Sequence, residues 1–255
     1  MNCKRVTRAA TRRVRRLSGS CRDAWDHVFE GPLLRTRPID EFLEGLGLST
    51  FVWGCYASDC GAEVGLPLEA DRDVLFSLIA SVCLRRFLEI GTWMGGTAAV
   101  VKPVCPGAEV LTVNHPQPDQ VNNPPHRDEI GVAFRRRKLE VKQVWADSAR
   151  IPESDLGDFH VIFTDGDHRY SAVRRDLENS RALLSAGGYL LFQDCAERGA
   201  SPYPQHTLEV VRAVRSSYKR HRHEIAAGLQ VEGSWIGIIV DNGARDDPLR
   251  TPVKV

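Results

Sequence analysis

The sequence predicts an α/β protein on a doubly wound, mostly parallel seven-stranded sheet that ends in an antiparallel hairpin. Three observations predict it. Short β-branched or apolar runs alternate with helical periodicity from Asp71 onward. A glycine-rich turn, EIGTWMGGTA over Glu89 to Ala98, follows the first of these runs. The last two runs are joined only by Val-Glu-Gly-Ser, a connection short enough for a hairpin.

In chain order, Val74, Leu75, Leu78, Ile79 and Val82 recur at helical spacing, and Asp71 reads as the cap of that helix. Arg86 to Ile90, Glu109 to Val113, Val141 to Trp145, His160 to Thr164 and Tyr189 to Gln193 are predicted strands. Helices are expected near Gly96 to Val104, Arg127 to Arg136, Ser171 to Leu184 and Thr207 to Arg220. His223 to Gln230 and Trp235 to Val240 complete the seven strands. A βαβ alternation of this kind requires right-handed crossovers, with helices on both faces of a parallel sheet.

At 255 residues, 42% hydrophobic and 26% charged, the chain is long enough for one large domain with an appendage. Its formal net charge of +1 gives no global attraction to nucleic acid. Residues 1–22 nevertheless carry eight Lys or Arg and no acid, so a basic arm is expected there. It reads as a solvated, frayed arm, with organelle targeting or contact with an anionic surface as the alternatives. Residues 23–70 read as a helical or irregular cap, 71–243 as the α/β domain, and 244–255 as a tail. No apolar run approaches the roughly 20 residues that span a bilayer, so a cytoplasmic protein is expected. The seven cysteines include no CxxC pair and are expected to be reduced.

In an open α/β sheet the ligand crevice lies beyond the carboxyl ends of the strands, where the turn Gly91 to Gly96 would sit. A P-loop would need a lysine where Thr97 stands. The dinucleotide fingerprint would need glycine where Trp93 stands. A cofactor with an adenosine half and no phosphate is left, and S-adenosylmethionine fits, although other strand-to-helix turns share this spacing.

Downstream, DEIGVAFRR, VKQVWADSARIP, FHVIFTDGDHRYSAVRRDLENSRALL and SAGGYLLFQD follow in order. Together with the turn they resemble the Rossmann-like class I S-adenosylmethionine-dependent methyltransferases, and within them a small-molecule O-methyltransferase group with a DG-x-H-x-Y signature. The resemblance runs from about Asp71 to Asp241. It implies that Glu89, Gly91, Thr92 and Gly95 embrace the methionyl end of the cofactor, the glycines because any Cβ there would crowd it. It implies Asp147 and Ser148 near the adenine, and Asp165 on the sulfonium side. Where the family usually holds the ribose hydroxyls with an acid, this chain has Asn114.

Methyl transfer is an in-line displacement, so the protein aligns the nucleophile and removes its proton. Asp167 and His168 are the candidate catalytic residues. Strand ends about 4.8 Å apart would let the carboxylates of Asp165 and Asp194 converge on Mg2+. Metal-dependent relatives carry another oxygen donor after the second Asp, and here Cys195 follows.

The expected substrate is a small molecule with a hydroxyl, such as a sugar or secondary metabolite. Its selectivity would come from residues 23–68 and the loop 117–125. The alternatives are a degenerate binding or regulatory protein, argued from Asn114 and Cys195, and an RNA methyltransferase, argued from the basic arm. Nucleic acid ranks below the small molecule because no interleaved aromatic and basic platform is present. Oligomeric state is open.

Overall fold

A computed structural model of the chain describes residues 35–47, 69–116, 126–154, 156–195 and 204–241. The basic arm, most of the expected cap, the loop 117–125 and the tail lie outside the described residues. The elements are β1 (Arg35–Arg37), α1 (Ile39–Gly45), α2 (Glu69–Ser81), β2 (Arg86–Ile90), α3 (Gly96–Val104), β3 (Glu109–Asn114), α4 (Val132–Arg136) and β4 (Lys142–Trp145). After a 3-10 helix over Ser148–Ser154 come β5 (Phe159–Thr164), α5 (Tyr170–Ala182), β6 (Leu184–Phe192), α6 (Pro204–Arg220), β7 (Ile225–Val231) and β8 (Gly237–Asp241).

One sheet runs β1-β7-β8-β6-β5-β2-β3-β4. Strands β2 to β6 pair in parallel, and β8 lies antiparallel to both β6 and β7. The chain winds outward from β2 through β3 to β4, then returns to place β5 on the other side of β2. This reversal makes the β2/β5 junction the topological switch point, the place where such sheets open a ligand crevice.

Period-2 alternation assigns each side chain to a helical layer. Phe87, Val110, Val161, Phe163, Leu191 and Ile238 pack with α2 and α3 in one core. Leu88, Leu111, Ile162, Leu190 and Ile239, of the opposite parity, pack with α5 and α6 in the other. Both faces are therefore dry, as a parallel sheet requires.

All seven predicted strands are present, and four readings are corrected. The stretch read as a cap contributes an eighth strand, β1, which adds in parallel to the edge at β7. The helix expected from Arg127 shrinks to Val132–Arg136, because Gly131 at φ 76 breaks it. Strand β6 starts at Leu184 rather than Tyr189. Asp71 does not cap α2, which starts at Glu69. It is fully buried and accepts hydrogen bonds from Ser234 Oγ (2.8 Å), the Trp235 N–H (2.6 Å) and Gln193 Nε2 (2.9 Å). Burial and three donors make it an interior anchor, a role that the sequence does not show.

Candidate active site

The two turns at the switch point touch. Gly91 donates its N–H to Val113 O (2.9 Å), and Asp165 donates its own to Ile90 O (2.8 Å), so each turn begins as an extra rung of the ladder. Gly91 adopts φ 102, and a Cβ there would stand 2.0 Å from the Asp165 carbonyl oxygen. Gly95 adopts φ 81, and its Cβ would meet the Phe134 ring at 2.6 Å. The protein's own backbone and α4 therefore crowd both positions. Between them Trp93 takes φ 46 and is 43% exposed. N–H groups of Gly131 and Ala133 clamp the turn through Trp93 O and Met94 O, both at 2.9 Å.

Glu89 and Thr112 are register partners on β2 and β3, so they share a face. Thr112 Oγ1 lies 2.7 Å from both Glu89 Oε2 and Thr92 Oγ1, and all three side chains are buried. Thr92 thus belongs to a buried chain of hydroxyls beneath the turn. Burial pushes the Glu89 carboxyl up to about 8, assisted by the Asp165 charge and opposed by hydrogen bonds from Thr112 and Thr97. A group held neutral only by lack of solvent favours an incoming cation.

At the end of β3, Asn114 turns its Nδ2 to His115 O (3.1 Å). After β4, Asp147 Oδ1 accepts the Ala149 N–H (2.9 Å) and starts the 3-10 helix. Ser148 is held from α5: its carbonyl accepts Asn179 Nδ2 at 2.9 Å, and its hydroxyl faces the Asp176 carboxyl, whose pKa it lowers against the cost of burial.

His168 lies between the two acids that end β5 and β6. Its Nε2 is 3.0 Å from Asp194 Oδ2 and 3.7 Å from Asp165 Oδ1. Burial opposes its charge, but hydrogen bonds and attraction from both carboxylates prevail, raising the imidazole to about 10. His168 is therefore favoured in its protonated form beside the two carboxylates. Asp167 is equally committed. It accepts the Arg169 backbone N–H (2.9 Å) and faces the guanidinium, interactions that keep its carboxyl below the ordinary aspartate range against the cost of burial. Asp194 sits at φ 60, a left-handed conformation that costs a non-glycine residue about 1 kcal/mol.

The donors at Asp165 and Asp194 do not suit Mg2+. The His168 ring takes the space between the carboxylates. Cys195, where a third oxygen would be needed, is a buried thiol raised to about 12 by desolvation. Among the described residues no group of three or more His, Cys, Asp or Glu is arranged to hold a metal ion.

Two strand-end turns thus converge at the switch point beside a buried acid. Residues 88–195 match the methyltransferase domain family. This segment is similar to a methyltransferase domain. It spans β2 to the end of β6 and so contains every sequence-predicted site residue. No curated protein matches the chain in sequence. Among solved structures, a candidate caffeoyl-CoA O-methyltransferase from Staphylococcus aureus superposes with a TM-score of 0.54 at 16% identity, covering 74% of this chain and 90% of its own. A cofactor-bound protein from MTB gives 0.53 at 18%, covering 86% and 95%. The O-methyltransferase from Bacillus cereus, in complex with SAH, gives 0.50 at 17%, covering 87% and 97%. At these identities the likeness shows the fold alone.

The fold brings Gly91, Asp165, His168 and Asp194 together at the strand ends, with Glu89 buried beneath and Gly95 held against Phe134. Thr92 is also buried, and Asp167 is turned to Arg169. Sequence reasoning did not single out Asp176. It is 5% exposed and lies in the stripe Val173, Asp176, Leu177, Ser180, whose i, i+3, i+4, i+7 spacing was a usable signal. Among the described residues, no helix is long and apolar enough to cross a membrane.

Proposed function

We propose that this protein transfers a methyl group from S-adenosylmethionine to a hydroxyl of a small molecule, such as a sugar or secondary metabolite. One observation carries the reading: the Gly91 turn and the Asp165 turn pack against each other at the switch point, with the buried Glu89 carboxyl beneath. The cofactor would supply a methyl carbon already activated by positive sulfur. Glu89 fits its cationic methionyl end, because a nearby positive charge stabilises the ionised form that burial disfavours. Asp147 and Ser148 form the wall beyond β4, on the adenine side.

On the other side, His168 presents a charged imidazole to the acceptor. Asp165 and Asp194 hold the ring in place. A cation beside a hydroxyl lowers the hydroxyl's pKa and steadies the developing oxyanion, the nucleophile, while the hydroxyl proton passes to solvent water. In this reading the imidazolium does the work assigned to a metal in other enzymes of this kind.

The test is calorimetry with S-adenosylhomocysteine, followed by transfer of labelled methyl from S-adenosylmethionine to a panel of hydroxylated sugars and phenols in the presence of EDTA. Binding and transfer support the reading, and absence of binding ends it. A second reading, a protein that binds the cofactor without turnover, is favoured by Asn114, which brings no carboxylate to the ribose position. Binding with no transfer to any acceptor would select it.

A further inference from the structure

We propose that Asp176 and Asn179, both on α5, are positioning residues that fix Ser148 and with it the cofactor-facing turn beyond β4. The inference rests on the cofactor reading above, but concerns residues of α5 rather than of the strand ends.

The geometry argues it in three steps. Asp176 and Asn179 are three residues apart on a helix, so they stand on one face. They face different groups of one residue: Asn179 Nδ2 donates to the Ser148 carbonyl at 2.9 Å, and the Asp176 carboxyl faces the Ser148 hydroxyl. Because α5 packs along the 3-10 helix that Ser148 begins, the Asp147–Ser148 turn is docked on α5 rather than left to its own loop.

Second, Asp176 also borders the other turn. A Cβ on Gly166 would lie 3.6 Å from Asp176 Oδ2, and Asp176 lines a cavity of about 10 Å³ with Thr164, Asp165 and His168. One helix stripe therefore sets the spacing between the wall at Ser148 and the reactive edge at Asp165.

Third, the arrangement is poor for stability. Asp176 is 5% exposed, and its Oδ1 has no hydrogen-bond partner among the described residues. A buried carboxylate with unsatisfied lone pairs destabilises a fold, whereas an apolar residue in the Val173–Leu177 stripe would stabilise it. Residues that cost stability in this way are characteristic of functional positions.

The experiment measures S-adenosylhomocysteine affinity by calorimetry, with urea unfolding alongside, for the full chain and for Asp176→Leu, Asp176→Asn and Asn179→Ala. Asp176→Leu should weaken binding about tenfold, the worth of one charge-assisted hydrogen bond, without lowering the unfolding midpoint. Asp176→Asn keeps an acceptor for Ser148 and should recover most of the affinity. Asn179→Ala should weaken binding several-fold, and it decides the matter if Asp176→Leu fails to fold. Wild-type affinity in folded Asp176→Leu or in Asn179→Ala overturns the proposal. Wild-type protein that does not bind S-adenosylhomocysteine overturns the cofactor reading instead.

Discussion

Gly91 and Asp165 meet so closely that no Cβ fits between them, the ideal position lying 2.0 Å from the Asp165 carbonyl oxygen. Strand β2 and strand β5 are hydrogen-bonded neighbours, and this contact continues their pairing beyond the last rung. Gly91→Ala should therefore cost about 3 kcal/mol or more, since it combines a left-handed backbone with a backbone clash. Urea unfolding measures it. A loss below about 1 kcal/mol would mean that the two turns are not in contact in solution.

Glu89 gives a pH signature. Its carboxyl is raised from 4.5 to about 8, so the folded state binds this proton more tightly than the unfolded state does. The contribution to stability is full below pH 4.5 and is lost as pH rises through about 8. Binding of a cationic cofactor should reverse the shift and release a proton. S-adenosylmethionine affinity should then rise from pH 6 to 8, and calorimetry in buffers of different ionisation heat should show proton release that vanishes in Glu89→Gln.

His168 behaves with the same sign for the opposite charge reason. Its pKa is raised from 6.5 to about 10 by Asp165 and Asp194, so its stabilisation is complete below pH 6.5 and disappears as pH climbs through about 10. Unfolding midpoints of the wild type should fall between pH 7 and 10 more steeply than those of His168→Gln. Parallel curves would show that the imidazole is not held by the two acids.

Asp71 links three distant segments. Replacing it with Ala leaves the Ser234 hydroxyl, the Trp235 N–H and the Gln193 amide without their acceptor. The expected loss is about 3 to 5 kcal/mol, each orphaned buried donor costing about 1 kcal/mol or more. Asp71→Asn, which keeps an acceptor, should lose less. Thermal and urea unfolding read both. Because Cys195 donates its N–H to Trp235 O at 2.7 Å, the alanine variant should also disturb the strained Asp194 between Gln193 and Cys195.

The sequence by itself determined the strands, their alternation, the terminal hairpin and the glycine turn, because period-2 and period-3.6 patterns are local properties of the chain. It also placed Glu89, Asp165 and Asp194 at strand ends, a position that follows from strand length alone. Only the tertiary structure decided what those groups do. The neutral Glu89, the charged His168, the bracing of Ser148 by Asp176 and Asn179, and the anchoring of Gln193, Ser234 and Trp235 by Asp71 all depend on burial and on partners 31 to 164 residues away or brought together by neighbouring strands. Hydrogen bonds and desolvation act through space, so residue type and spacing along the chain leave them unread. The eighth strand escaped for the same reason: three residues carry too little pattern, and the edge of β7 supplies the partner that makes them a strand.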